Sequence, residues 1–151
     1  MRSGLPKRIL VPVDLSENAN AALKEAAAVA EKCNAELIVL YADELIPPLD
    51  PSIELPQRFV DMTDSERKVV VQNELERRVD AIVPASVHVD SIVKIDRTVH
   101  AILTTAEEKD ADWIVMVTHG HDGLKRTLQG SVTEEVIRHT TRPVLAVHAA
   151  A

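Results

Sequence analysis

The chain has 151 residues, the size of one domain able to bury about two-thirds of its unfolded surface without disulfide or metal support. Hydrophobic residues make up 46% and charged residues 27%, but aromatics reach only 2% (Tyr41, Phe59 and Trp113), which removes the stacking platforms that readers of single-stranded nucleic acid use. The net charge of −7 opposes binding to a phosphate backbone, and a single cysteine, Cys33, excludes an internal disulfide and a thiolate metal cluster.

Along the chain the apolar pattern alternates between two periods. Ile9 to Val13 is a short run rich in β-branched residues and predicts a first strand. Ser16 is expected to open the first helix, with Glu17 at its positive end and Ala19, Ala22, Leu23, Ala26, Ala30 and Cys33 on one face. Leu37 to Ala42 predicts a second strand. Residues 45–57 hold four of the eight prolines and read as a long loop. Thr63 and Glu66 have capping-box spacing ahead of a second helix that carries Val71, Leu75, Val79 and Ile82. Residues 87–95 alternate apolar with polar and predict an edge strand. Val99, Ile102, Leu103 and Ala106 mark a third helix. Ile114 to Val117 predicts a strand, Ser131 with Glu134 a capping box opening a fourth helix, and Val144 to Val147 a last strand. The first, second, fourth and fifth runs read as strands buried on both faces, as in a parallel sheet. Five strands alternating with four helices predict a doubly wound α/β layer fold with right-handed crossovers.

The glycines are distributed unevenly. There are four, and Gly120, Gly123 and Gly130 fall within eleven residues between a predicted buried strand and a predicted helix. Such a loop lies at the carboxyl end of a strand, where open α/β sheets bind ligands. Its amides and the following helix N-terminus suit an anion, and Lys125 and Arg126 add local positive charge. Spacing alone leaves two readings open, a phosphate cradle or a connecting loop whose glycines only solve turn geometry. The loop is not a Walker A motif, and the first strand runs into Val13-Asp14-Leu15-Ser16 without the glycines of a dinucleotide fingerprint.

Three stretches together resemble one family. Ile114-Val115-Met116-Val117-Thr118-His119-Gly120, nine residues, then Gly130-Ser131-Val132 is similar to the signature loop of the universal stress protein family. The opening Ile9-Leu10-Val11-Pro12-Val13-Asp14 and the closing Arg142-Pro143-Val144-Leu145-Ala146-Val147 resemble it as well, so that the likeness runs from about Lys7 to His148. The resemblance implies a Rossmann-like α/β fold of the adenine nucleotide alpha hydrolase-like type, with a five-stranded parallel sheet and helices on both faces. It implies a homodimer paired through the last strand and the branch of the family that binds ATP or a related nucleotide, AMP or ADP. Carried over residue by residue, Asp14 would bond the ribose or adenine, Pro12 and Val13 would line the base, and Ala42 would offer main-chain contacts to it. Gly120 and Gly130 would leave backbone room for phosphates held by Ser131, Val132 and Thr133. Met116, Val117 and His119 complete the implied binding set. Two positions depart from the family pattern: Val117 stands where its first loop glycine would be, and Asp96 where a glycine near the third helix would be. A valine is costly where the backbone needs a positive φ, and its methyls would crowd a ligand. On that reasoning Val117→Gly tightens binding.

Other residues have simpler readings. Asp14 also suits a turn shared with Ser16. His119 and His121 lack a third metal ligand in the pattern, and Cys33 reads as a small buried hydrophobe. No nucleophile with its base and no carboxylate pair has catalytic spacing. Slow ATP hydrolysis or self-phosphorylation, implied by the resemblance, would need Mg²⁺ bridging the phosphates. The expected function is therefore a nucleotide-binding regulatory dimer in stress response whose ligand state alters residues 117–130 for a downstream protein. The alternatives are a dimeric interaction protein that has lost nucleotide binding, marked by Val117, and a weak ATPase. No apolar run reaches the ~18 residues of a membrane span, and Pro12 and Asp14 break the apolar stretch after the basic start. A cytoplasmic location, with no membrane or nucleic-acid partner, is expected.

Overall fold

The computed structural model describes residues 4–44, 62–118 and 128–149, with 128–131 described in backbone alone. The proline-rich stretch 45–57 lies outside the described residues. Five strands, β1 (Arg8–Pro12), β2 (Glu36–Asp43), β3 (Val89–Ile95), β4 (Trp113–Thr118) and β5 (Val144–His148), form one sheet in the order β3-β2-β1-β4-β5. All neighbours are parallel, with Ile9 opposite Leu37 and Trp113, Leu37 opposite Val89, and Ile114 opposite Val144. The helices are α1 (Ala19–Cys33), α2 (Asp64–Ile82), α3 (Thr98–Glu108) and α4 (Leu128–His139).

The near-continuous apolar runs of β1, β2 and β4 are buried because helices cover both faces. Ile9, Val11, Leu37, Val39, Val115 and Val117 pack with α1 and α2 through Ala22, Leu23, Ala26, Val71 and Leu75. Leu10, Ile38, Leu40, Ile114 and Met116 pack on the other face with Ala101, Ile102 and Ala106 of α3 and Val136 of α4. The run of alanines along α1 lets that helix lie close to the sheet.

The edge assignment of β3 holds. At the opposite edge, β5 differs from expectation: Leu145, Ala146 and His148 are exposed, so it is not buried on both faces in the single chain. An apolar run does not by itself distinguish a central strand from an edge that awaits cover.

Helix starts follow local hydrogen bonding. The capping box at α2 is present, with Thr63 Oγ1 accepting from the Glu66 amide at 3.2 Å and the Glu66 carboxylate accepting from the Thr63 amide at 3.1 Å. Thr63→Ala is expected to cost about 1 kcal/mol, read as a fall of a few degrees in the thermal midpoint; an unchanged midpoint would assign this helix start to packing alone. The first helix begins at Ala19, not at Ser16. Ser16 is instead held in a turn by Asp14, and its hydroxyl oxygen reaches forward to the Ala19 amide at 3.4 Å. Two turns, Glu17 to Asn20 and Asn18 to Ala21, tighten the chain before the helix proper. At the other end Asn34 takes the left-handed conformation (φ 53°), which asparagine tolerates and which ends α1. The fourth helix begins at Leu128, three residues before Ser131. Leu128, Val132 and Val136 recur every four residues, so the apolar period reaches one turn upstream of the capping-box pattern.

Candidate functional site

In this strand order β1 lies between β2, which follows it in sequence, and β4, which follows after two further crossovers. The direction of winding reverses there, and the carboxyl ends of β1 and β4 open onto a crevice. A cavity of about 190 Å³ occupies it, lined by Pro12, Val13 and Asp14 after β1, Leu40 and Ala42 of β2, and Met116 and Val117 of β4. Thr98 and Ile102 of α3 and Val132 and Thr133 of α4 complete the lining. The wall is mostly aliphatic with a few polar groups, the usual make-up of a small-molecule site.

Eight of the sequence-predicted residues, Pro12, Val13, Asp14, Ala42, Met116, Val117, Val132 and Thr133, meet around this cavity although they are far apart in the chain. His119 and Gly120 lie outside the described residues. Gly130 and Ser131 are described in backbone alone, within the first turn of α4. Because α4 starts at Leu128, the amides of residues 128–130 are the ones the helix leaves without a carbonyl. The fourth helical amide bonds the residue preceding the helix, as Arg67 does to Thr63 in α2 and Ala101 to Arg97 in α3, so those of Ser131, Val132 and Thr133 fall to the helix ladder. Ser131 is therefore not the cap residue, and the Gly130 amide remains at the positive end of the helix.

The sequence reading missed Leu40, Thr98 and Ile102. Leu40 shares a sheet face with Ala42, two positions on, which could have found it. Thr98 and Ile102 are brought by the crossover from β3, which no local pattern encodes. Glu44 Oε1 accepts from the Thr98 amide at 2.6 Å and so fixes the N-terminus of α3 at the end of β2. Asp96 accepts from the Arg97 amide at 2.7 Å and from His100 Nδ1, and these two bonds, the His100 contact first, hold its carboxyl below the usual carboxylate range.

The half-buried Asp14 uses one carboxylate oxygen, Oδ1, to accept from both the amide and the hydroxyl of Ser16. Among the described residues Oδ2 has no hydrogen-bond partner. The Val13 amide donates to the Leu40 carbonyl at 2.8 Å and extends the β1–β2 pairing to the rim of the cavity. Nearby, Asp43 and Arg67 form an ion pair at 3.0 Å, both largely buried. The geometry is that of a charge contact, since among the described residues Arg67 Nε has no aligned hydrogen-bond acceptor. Burial, followed by the negative charges of Asp43 and Asp14, pushes the Tyr41 hydroxyl above its usual range and keeps it protonated.

Val117 is one of the two β4 residues that line the cavity. It lies in extended β4, opposite Val147, and is not among the positive-φ residues of the described chain. Its side chain belongs to the cluster under α1, while Met116, Leu40 and Ile102 belong to the opposite face. Its carbonyl accepts from the buried Thr133 hydroxyl at 3.3 Å and ties α4 to β4. Successive side chains of a strand alternate between faces, which sets Val117 apart from Met116 although both line the cavity.

A doubly wound parallel sheet with an aliphatic crevice at its switch point, a carboxylate on the rim and a helix N-terminus beside it defines an α/β protein of Rossmann-like type. The model of the universal stress protein family matches residues 6–148, and the chain belongs to that family. It is 32% identical over 147 residues to universal stress protein MJ0531 of Methanocaldococcus jannaschii, covering 95% of this chain and 82% of the relative. The solved structure of MJ0577, a universal stress protein of the same organism, superposes with a TM-score of 0.75 at 29% identity, over 98% of this chain and 99% of that one. The crystal structure of a universal stress protein in complex with cAMP has a TM-score of 0.68 at 22% identity, covering 97% and 100% of the two chains.

Proposed function

We propose that this protein is an adenine-nucleotide-binding regulatory protein, taking ATP, ADP or AMP in the β1–β4 crevice. The observation that carries the reading is the preformed cavity with Asp14 in its lining, whose Oδ2 has no hydrogen-bond partner among the described residues. The aliphatic surfaces of Pro12, Val13, Leu40, Ala42 and Ile102 suit the faces of a purine, and Asp14 suits a ribose hydroxyl as acceptor. At 190 Å³ the cavity is smaller than the ~300–1,000 Å³ of most small-molecule sites, which fits a base rather than a whole triphosphate. The phosphates would extend toward the amides of residues 128–130. The family member solved with cAMP makes adenine nucleotides the ligand class to test first. Mg²⁺ would enter with a triphosphate, held by its oxygens; among the described residues no cluster of three metal-ligating side chains is present. The alternative that Val117 marks a lost site is decided by the titration that tests this reading.

The test is direct. Purified protein is heat-denatured and its supernatant resolved by anion exchange, and nucleotide-free protein is titrated calorimetrically with ATP and AMP, with and without Mg²⁺. Near-stoichiometric released nucleotide or saturable heat supports the reading. The absence of both released nucleotide and binding heat overturns it.

We further propose that the chain pairs with a second copy through β5. In support, β5 is an edge whose outward Leu145 is 37% exposed, with Ile137 of neighbouring α4 53% exposed. Leu145→Lys is expected to shift the protein to monomer in sedimentation velocity at unchanged helix content; a wild type that sediments as a monomer would sink the pairing. The nucleotide would act by altering residues 117–130 for a downstream protein. No helix among the described residues is long and apolar enough to cross a membrane.

A further inference from the structure

The loop that carries Asp14 is held from outside by a residue distant in sequence. Arg78, in the C-terminal half of α2, is largely buried, with a side-chain exposure of 15%. Its Nη1 donates to the Ser16 carbonyl at 2.5 Å and its Nη2 to the Leu15 carbonyl at 2.7 Å. Nη1 also reaches Asn20 Oδ1 at 3.4 Å, so that one guanidinium spans the loop and the first turn of α1. The two carbonyls belong to the residues immediately after Asp14. From the inner side, Asp14 Oδ1 takes the amide and hydroxyl of Ser16. Ser16 is therefore held through both of its main-chain polar groups, its amide by Asp14 and its carbonyl by Arg78.

These bonds have a physical consequence for the crevice. Val13 is pinned to β2, but residues 14–18 lie between the end of β1 and the start of α1 and have no sheet or helix ladder of their own. A planar, permanently charged fork on two successive carbonyls supplies that constraint, and charge-assisted bonds of this kind are stronger than neutral ones. A lysine could offer one point donor but not the fork. Glu74 Oε1 lies 3.9 Å from Nη2 and is otherwise bound by Arg77, so the guanidinium is committed mainly to the loop.

We propose that Arg78 is a positioning residue for the ligand site: it clamps the Leu15 and Ser16 carbonyls and thereby sets the Asp14 carboxylate at the rim of the β1–β4 crevice. Arg78 does not line the cavity and touches no ligand. The inference rests on the proposed nucleotide site for its functional meaning, while the clamp itself is independent of any ligand.

The experiment has two arms, both on the full chain. In the first, AMP affinity is measured by calorimetry for wild type, Arg78→Met, Asp14→Ala and the double variant, with Arg78→Lys in reserve should the methionine variant fail to fold. Arg78→Met is expected to weaken AMP by roughly tenfold in the wild-type background and by less than about twofold in the Asp14→Ala background, the signature of action through Asp14. Equal losses in both backgrounds, or no loss in either, overturn the proposal. In the second arm, amide hydrogen exchange is followed without nucleotide. Arg78→Met is expected to speed exchange of the Ser16 amide while the β1 amides of Leu10 and Val11 stay protected. An unchanged Ser16 amide overturns the clamp. If wild type takes up no adenine nucleotide, it is the proposed function that fails, and the exchange arm still decides the clamp.

Discussion

Val117→Gly is expected to destabilise the protein by about 3 kcal/mol and to bring no gain in nucleotide affinity. Val117 is 6% exposed and packs in the cluster beneath α1. Removing its side chain forfeits about 1.5–3 kcal/mol of burial, and a glycine within a strand costs up to about another 1 kcal/mol in chain entropy. For a chain of this length the thermal midpoint should fall by about 6–12 °C. The Thr133 hydroxyl bond to the Val117 carbonyl involves backbone and survives the change. The measurement is a thermal melt paired with an AMP titration. Tighter binding at little cost in stability would show that the methyls do crowd the ligand and that the assignment of this side chain to the α1 face is wrong.

The second large effect is on binding. Asp14→Ala should weaken AMP and ATP alike by about 10- to 100-fold, the worth of a charged hydrogen-bond acceptor at a ligand contact. The parallel loss matters: a carboxylate on the ribose side contributes equally whatever the number of phosphates. A loss confined to ATP would instead place Asp14 near the phosphates or their Mg²⁺. Asp14→Asn keeps an oxygen for the Ser16 amide while removing the charge, so it separates the internal role of Oδ1 from the outward role of Oδ2. If Asn binds as well as Asp, the charge is not what the ligand uses.

The chain shows two kinds of departure from its sequence pattern. The first is local competition for one side chain. Ser16 has the composition of a helix cap, but an aspartate two residues earlier captures its amide and hydroxyl, and the helix starts at Ala19. The second is cover. β5 has the same apolar pattern as β1 and β4, yet it is an edge, because burial depends on what lies beside a strand and not on its own residues. The candidate site shows the same division. Asp14, Ala42 and Met116, named through the family resemblance, meet at the cavity, while Gly120 and Gly123 lie outside the described residues. Thr98, Ile102 and Arg78 were not legible in the sequence, since each looks like an ordinary position on its own helix.

The sequence by itself determined the alternation of strands and helices, the apolar faces, the capping box at Thr63 and the family to which the chain belongs. These follow from periodicity and short-range hydrogen bonding, which act over a few residues. The tertiary structure alone decided which faces carry α1 with α2 and α3 with α4, and on which side of β4 the Val117 side chain falls. It also decided that a guanidinium sixty-two residues away holds the Asp14 loop. Those outcomes depend on crossover connections and strand order, which bring together groups that no local pattern relates.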